Sequence, residues 1–156
     1  MTALESVDQG LAVLGRALGF PLALGPERAC ALRLDDGLEC SLEVPDGSSL
    51  LHLHCPLLPV PPVDRLAFLE GVLALNLYGI ETGGASLALD PGTDRVVLCW
   101  SQPPEGMLPE DLPALIAGFI ERASGLRAQL EPAARSDGET AAGLAPPGLA
   151  RSWRRN

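Results

Sequence analysis

Over the first eighteen residues the apolar side chains recur every three or four positions, at Leu4, Val7, Leu11, Leu14 and Leu18. That spacing lays one apolar stripe along a helix, which Gly19 and Pro21 then stop. Gly10 and Gly15 lie inside it, each weakening it by up to about 1 kcal/mol relative to alanine. Tight packing of this helix on a sheet is the expected reason for them, since a missing Cβ lets another element come close.

From Ala29 the period falls to two. Cys30, Leu32 and Leu34 share a face opposite Arg33, and Leu38, Cys40, Leu42 and Val44 share one opposite Glu39, Ser41 and Glu43. Leu51, Leu53 and Cys55 follow, opposite His52 and His54. Asp35-Asp36-Gly37 and Pro45-Asp46-Gly47-Ser48 supply the turns between them. Three strands joined by short turns predict an antiparallel meander with one polar face. Pro56 to Pro62 holds four prolines in seven residues and is expected to be a rigid connector, outside any strand or helix interior.

A second helix is predicted over about Val63 to Leu77. One stripe carries Leu66, Leu69, Leu73 and Leu77, and another carries Phe68, Val72 and Leu75. A helix that is apolar on two faces needs cover on two sides. In a chain this small its own sheet covers one, so the other predicts a partner, most simply a second copy across a two-fold axis. Gly83-Gly84 then opens a hairpin: Leu87 and Leu89 alternate with Ala88, Asp90-Pro91-Gly92-Thr93-Asp94 turns, and Arg95 to Ser101 returns. A last helix is expected from about Pro109 to Leu130, its broad apolar face formed by Leu112, Leu115, Ile116, Phe119, Ile120, Ala123 and Leu126. The order α-β-β-β-α-β-β-α, with strands in runs, predicts an α+β fold built on an antiparallel sheet.

Composition narrows the possibilities. The 156 residues suit one domain, here 1–131, followed by a Pro/Gly/Ala-rich tail over 132–156 with a basic end. Net charge is −9, and every one of the 11 basic residues is arginine. A chain so acidic lacks the footprint that phosphate backbones require, so nucleic acid is excluded as the main partner. The acidity is concentrated in 1–131, with seven arginines against eighteen acids, whereas 132–156 has four against two. No apolar run approaches the roughly 18 residues of a membrane span. The opening residues are acidic where a signal peptide has a positive region, which leads us to expect a cytoplasmic protein.

Candidate chemistry is sparse. Cys30, Cys40, Cys55 and Cys99 form no C-x-x-C pair and sit in apolar alternating segments, so they are expected to be free structural thiols. His52 and His54 alternate on one strand face; a metal would need further ligands, for which Glu39, Ser41 or Glu43 are candidates. The simpler reading is a solvated or partner-facing polar surface, with no metal and no cofactor. Asp35-Asp36 and Asp90/Asp94 fall in turns, where aspartate serves local backbone hydrogen bonds. No phosphate-binding loop, nucleophile elbow or zinc-protease motif occurs, so an enzyme is not expected.

At this point the sequence resembles the Tir chaperone (CesT-like) family of type III secretion. The resemblance lies in the element order, the acidic balance and two stretches, Leu73-Ala74-Leu75-Asn76-Leu77 and the hairpin from Gly84-Ala85-Ser86-Leu87 through Leu89-Asp90-Pro91-Gly92-Thr93-Asp94 to Arg95-Val96-Val97-Leu98. It covers residues 1 to about 131 and implies a bacterial cytoplasmic homodimer that uses no ATP. Such a protein binds the N-terminal chaperone-binding segment of a secreted effector and keeps it extended. The resemblance also admits the secretion ATPase or sorting platform as a partner. By resemblance the dimer interface falls on Leu69, Val72, Leu73 and Leu77 of the central helix, joined by Val97 and Cys99. Effector contact falls on Leu11, Leu14, Leu32, Leu42 and Leu53. Two other readings stay open: a dimeric regulatory adaptor that binds a folded regulator, and a small metal protein or enzyme using His52 and His54.

Overall fold

The computed structural model describes residues 2–135. Helix α1 (Ala3–Leu18) begins with a reciprocal cap: the Glu5 amide donates to the Thr2 hydroxyl and the Thr2 amide to the Glu5 carboxylate. Those two bonds satisfy otherwise orphaned donors and hold the Glu5 carboxyl below its ordinary pKa, the bond from the Thr2 backbone contributing most. Gly19, left-handed at φ 85, closes the helix by donating to the Gly15 carbonyl.

Strands β1 (Ala29–Arg33), β2 (Glu39–Glu43) and β3 (Leu51–Pro59) follow, then helix α2 (Arg65–Leu75), strands β4 (Ser86–Asp90) and β5 (Arg95–Gln102), and helix α3 (Leu112–Ala134). The element order is the one expected. The five strands form one sheet in the order β1-β2-β3-β5-β4, with the meander and the hairpin both antiparallel.

Two compact units are distinguished. In the first, Met1–Cys55 with Trp100–Glu121, the strand registers stack Cys30, Leu42 and Leu53 in one row and Glu43 with His52 on the opposite face. Leu38, Cys40, Leu42, Val44, Leu51, Leu53 and Cys55 are buried, joined by Val7 and Leu11 from α1 and Leu112 and Ile116 from α3. In the second unit, Pro56–Cys99 with the chain from Arg122, the core holds Phe68, Val72, Leu75, Leu87, Val96 and Leu98, together with Leu126 and Leu130.

The two glycines of α1 do admit close neighbours, but these are not the sheet. A Cβ on Gly10 would lie 2.7 Å from the Leu112 side chain and 2.9 Å from the Pro109 carbonyl oxygen; one on Gly15 would lie 2.6 Å from the Phe20 carbonyl oxygen. The helix therefore packs on the turn Pro109–Asp111 that leads into α3, and on its own returning chain. Gly15→Ala should gain up to about 1 kcal/mol of helix propensity and lose more to a clash with backbone, which cannot rotate away. We expect a net destabilisation of about 1–3 kcal/mol, read as a lower urea midpoint at unchanged slope.

One proline-based expectation and one helix end are corrected. Strand β3 continues through Pro56 to Pro59 instead of stopping at a connector. The paired register with β2 runs only from His52 to His54, so Pro56 lies past the last of these pairs and its missing N–H breaks none of them. Likewise α3 runs on through Pro132 to Ala134. The proline falls in the last turn, where burial of Leu130 and Ala133 on one face holds the helix down despite the lost bond. The rest of the expected tail, 136–156, lies outside the described residues.

Candidate functional site: two uncovered apolar surfaces

Helix α2 explains the first surface. Phe68, Gly71, Val72 and Leu75 are buried, at the spacing of one helix face. The opposite stripe is left open: Leu66 is 73% exposed and Leu73 is 66% exposed, with Leu69 half-buried between them. Leu77 falls just beyond α2, in the 3-10 turn Leu77–Gly79, and is exposed, as are Tyr78 and Ile80. Of the residues expected at a dimer interface, Leu69, Leu73 and Leu77 thus share the outward side. Val72 points inward, Val97 is buried in β5, and Cys99 is half-buried.

The surface has a firm base. Asn76 caps α2 and braces β4: its Nδ2 donates to the Leu87 carbonyl at 2.9 Å and the Leu87 amide donates to its Oδ1 at 2.7 Å. At the other end of the helix, Arg65 makes a two-pronged contact with Asp94, at 2.9 and 2.7 Å. The Arg65 guanidinium holds the Asp94 carboxyl below the usual carboxylate range. Asp94 in turn accepts the Val60 amide through its backbone carbonyl.

The second surface belongs to the first unit. After Gly19 the chain runs back along α1, with Phe20 and Leu22 against Gly15 and the Leu24 amide donating to Asp8 at 2.8 Å. It reaches β1 where the Gly25 amide donates to the Ala29 carbonyl. Strand β1 lies at an edge of the sheet. Leu18 and Phe20 stand half out of the surface, at 50% and 49% exposure, and Leu14, Leu22, Leu24, Leu32 and Leu34 are half-buried. Of the expected effector-contact residues, Leu14 and Leu32 are accessible on this side, whereas Leu11, Leu42 and Leu53 are sealed in the core at 3% exposure or less. Strand parity put Leu42 and Leu53 on one face without saying that this face is the covered one, and Leu11 lies on the buried stripe of α1. Leu18 was visible in the helix stripe; Phe20 was masked by its place between a stop glycine and a proline.

The thiols and imidazoles of the described residues are placed as follows. Burial and a contact from the neighbouring Cys55 thiol push the Cys40 thiol far up, with the Cys55 contact the larger cause. Burial also raises Cys30 and Cys99. Thiols shifted upward are poor nucleophiles near neutral pH. His52 lies 3.5 Å from the Ser48 hydroxyl, and among the described residues no group of three His, Cys, Asp or Glu side chains is placed to hold a metal ion. A shallow cleft of about 440 Å3 beside Gln102, Glu105, Met107 and Asp111 has carboxylates but no histidine or cysteine. No helix among the described residues is long and apolar enough to cross a membrane.

The described residues thus leave two apolar faces open on a small acidic α+β chain. The sequence model of the Tir chaperone protein (CesT) family matches residues 9–127. The chain belongs to that family. Its members are chaperones, not enzymes. No curated protein sequence matches this one. Among solved structures, the fold is shared with the ExsC–ExsE complex, at a TM-score of 0.70 and 19% identity, over 83% of this chain and 97% of that one. The structure of the heterodimeric ExoU–SpcU complex, from the type III secretion system of Pseudomonas aeruginosa, gives a TM-score of 0.59 and 21% identity, over 81% and 95%. The HopA1–SchA chaperone–effector complex gives 0.58 and 24%, over 76% and 90%.

Proposed function

We propose that this CesT-family chain is a type III secretion chaperone. It binds the N-terminal chaperone-binding segment of a secreted effector, holds it extended, and uses no ATP. The observation that carries this reading is the family match over residues 9–127. The HopA1–SchA chaperone–effector complex and the ExoU–SpcU complex of a type III secretion system, which share the fold, support it. In this reading the open face of α2 joins two copies into a homodimer. The second surface, beside edge strand β1, takes the client: an extended segment adds main-chain hydrogen bonds along the edge and seats apolar side chains against Leu14, Leu18, Phe20 and Leu32. A contact with the secretion ATPase or sorting platform belongs to the same reading, as does a cytoplasmic location.

Light scattering on the purified protein, alone and co-expressed with its genomic neighbour, tests the proposal. The expected mass alone is twice the 16.3 kDa of one chain. With the client, one neighbour chain adds to that dimer, and its bound segment shows no folded structure of its own by hydrogen exchange. A monomer that ignores its neighbour overturns the reading. A partner that arrives folded, with no segment held extended, replaces it with the regulatory adaptor.

A further inference from the structure

Strands β2 and β3 bring two of the four cysteines face to face. Their register pairs Ser41 with His54 and Leu42 with Leu53, so one step further along Cys40 lies opposite Cys55. The other neighbour of β2 decides what kind of pair this is. The Val44 amide donates to the Arg28 carbonyl and the Leu34 amide to the Leu38 carbonyl, and both are directly opposed residues when the β1–β2 register is continued. Bonded and unbonded pairs alternate along an antiparallel ladder. Cys40 lies an even number of places from Leu38 and from Val44, so its backbone groups point toward Leu32 on β1. Toward β3 it therefore belongs to an unbonded pair, the closer kind, with Cα atoms about 4.5 Å apart. That spacing falls inside the range of about 4.4–6.8 Å that a disulfide needs.

The two thiols already touch. Cys30 is opposite Leu42 and Cys99 opposite Ser86, so these registers give neither such a neighbour. Cys40 and Cys55 are sealed in the core of the first unit, at 4% and 0% exposure. A bulky oxidant such as glutathione disulfide is shut out of the closed sheet, whereas a water-sized peroxide enters through small openings of the ladder. Pairing is weakened at this end, because Pro56, opposite Glu39, has no N–H to donate.

We propose that Cys40 and Cys55 are a peroxide-responsive thiol pair that closes into a reversible disulfide joining β2 to β3. One thiolate attacks hydrogen peroxide: an S–O bond forms, the O–O bond breaks, and the departing hydroxide takes up a proton as water. The other sulfur then attacks the sulfenic acid, so that S–S forms, S–O breaks and a second water leaves. The two thiols give up two electrons and two protons, and the peroxide is reduced. Burial and the Cys55 contact keep Cys40 protonated, which makes the reaction slow and reserves it for sustained oxidant. The cross-link closes a loop that contains the turn Pro45–Ser48, and it restricts the unfolded chain more than the folded one. Neither a dimer nor a client is needed for this device.

The full-length protein, treated with excess hydrogen peroxide, quenched with catalase, unfolded and alkylated, is mapped by mass spectrometry. A linked pair of peptides holding Cys40 and Cys55 is expected, with both thiols protected from alkylation and restored by dithiothreitol. Circular dichroism should be unchanged, and the urea midpoint of the oxidised form should rise by about 1 M above that of the reduced form. Full alkylation of Cys40 and Cys55 after peroxide overturns the proposal, as does their conversion to separate sulfinic acids. A linkage that instead joins either of them to Cys30 or Cys99 overturns it too. So does a Cys40–Cys55 disulfide that lowers the urea midpoint, since such a bond belongs to a sheet that had already come apart.

Discussion

Leu73→Asp should convert the proposed dimer to a monomer at micromolar concentration while leaving each chain folded. Leu73 is 66% exposed on the outward stripe of α2, so its loss costs a single chain little, within about 0.5 kcal/mol for an exposed position. Aspartate in a helix interior adds up to about 0.7 kcal/mol through propensity. The interface suffers far more, because a two-fold axis counts the change twice. Each protomer gives up roughly 1–2 kcal/mol, the share of leucine burial that its open surface leaves to be gained, so the pair loses about 2–4 kcal/mol before any charge term. The new carboxylate also sits three residues from Glu70, and its symmetry mate carries the same charge. Together these weaken association by more than about 100-fold. Light scattering gives the mass and circular dichroism the fold; an unchanged dimer mass would sink the assignment of this face. Val72 offers no such test, since at 4% exposure its replacement by aspartate would unfold the chain.

What the sequence could reveal follows from which physical signals are local. Period three-to-four and period two are read directly from side-chain order, so the eight elements and both faces of α2 were legible, with Phe68, Val72 and Leu75 separated from Leu66, Leu69 and Leu73. Which face of a strand is covered is not local. Leu42 and Leu53 alternate with polar residues whichever layer lies above them, and only the placement of α1 and α3 decides that they are core. Proline misled in the same way. Pro56 forbids a donor and not an element, and whether the donor is needed depends on the neighbouring strand. The left-handed turn at Tyr78 had no signature at all, because the residue types that announce such a backbone are glycine and asparagine. What holds it comes from afar: Leu87 through Asn76, and Arg122 from α3.

Leu18→Ser combined with Phe20→Ser should weaken client capture by roughly 30–100-fold and leave the mass of the proposed dimer unchanged. An effector segment that is unfolded before binding gives up roughly 1–2 kcal/mol of backbone entropy for each residue it orders. Hydrogen bonds to the edge of β1 replace bonds the segment already made to water, so each returns only about 0.5–1.5 kcal/mol. Main-chain pairing therefore roughly cancels the ordering cost, and the net affinity depends on the apolar anchors. Leu18 and Phe20 each have about half their surface open, and covering that half contributes on the order of 1–1.5 kcal/mol apiece. Removing both takes away about 2–3 kcal/mol, or roughly 30–100-fold in affinity for the client segment. Stability should barely move, because neither side chain lies in the core. Substitution of Leu42 or Leu53 would also reduce capture, but by emptying the core at 3% exposure, and the urea midpoint would fall with it. The two outcomes are separable in one titration with calorimetry on the same samples. Capture retained by the folded double variant would move the client away from α1 and edge strand β1. The opposite edge, β4, would then be the strand left to receive it.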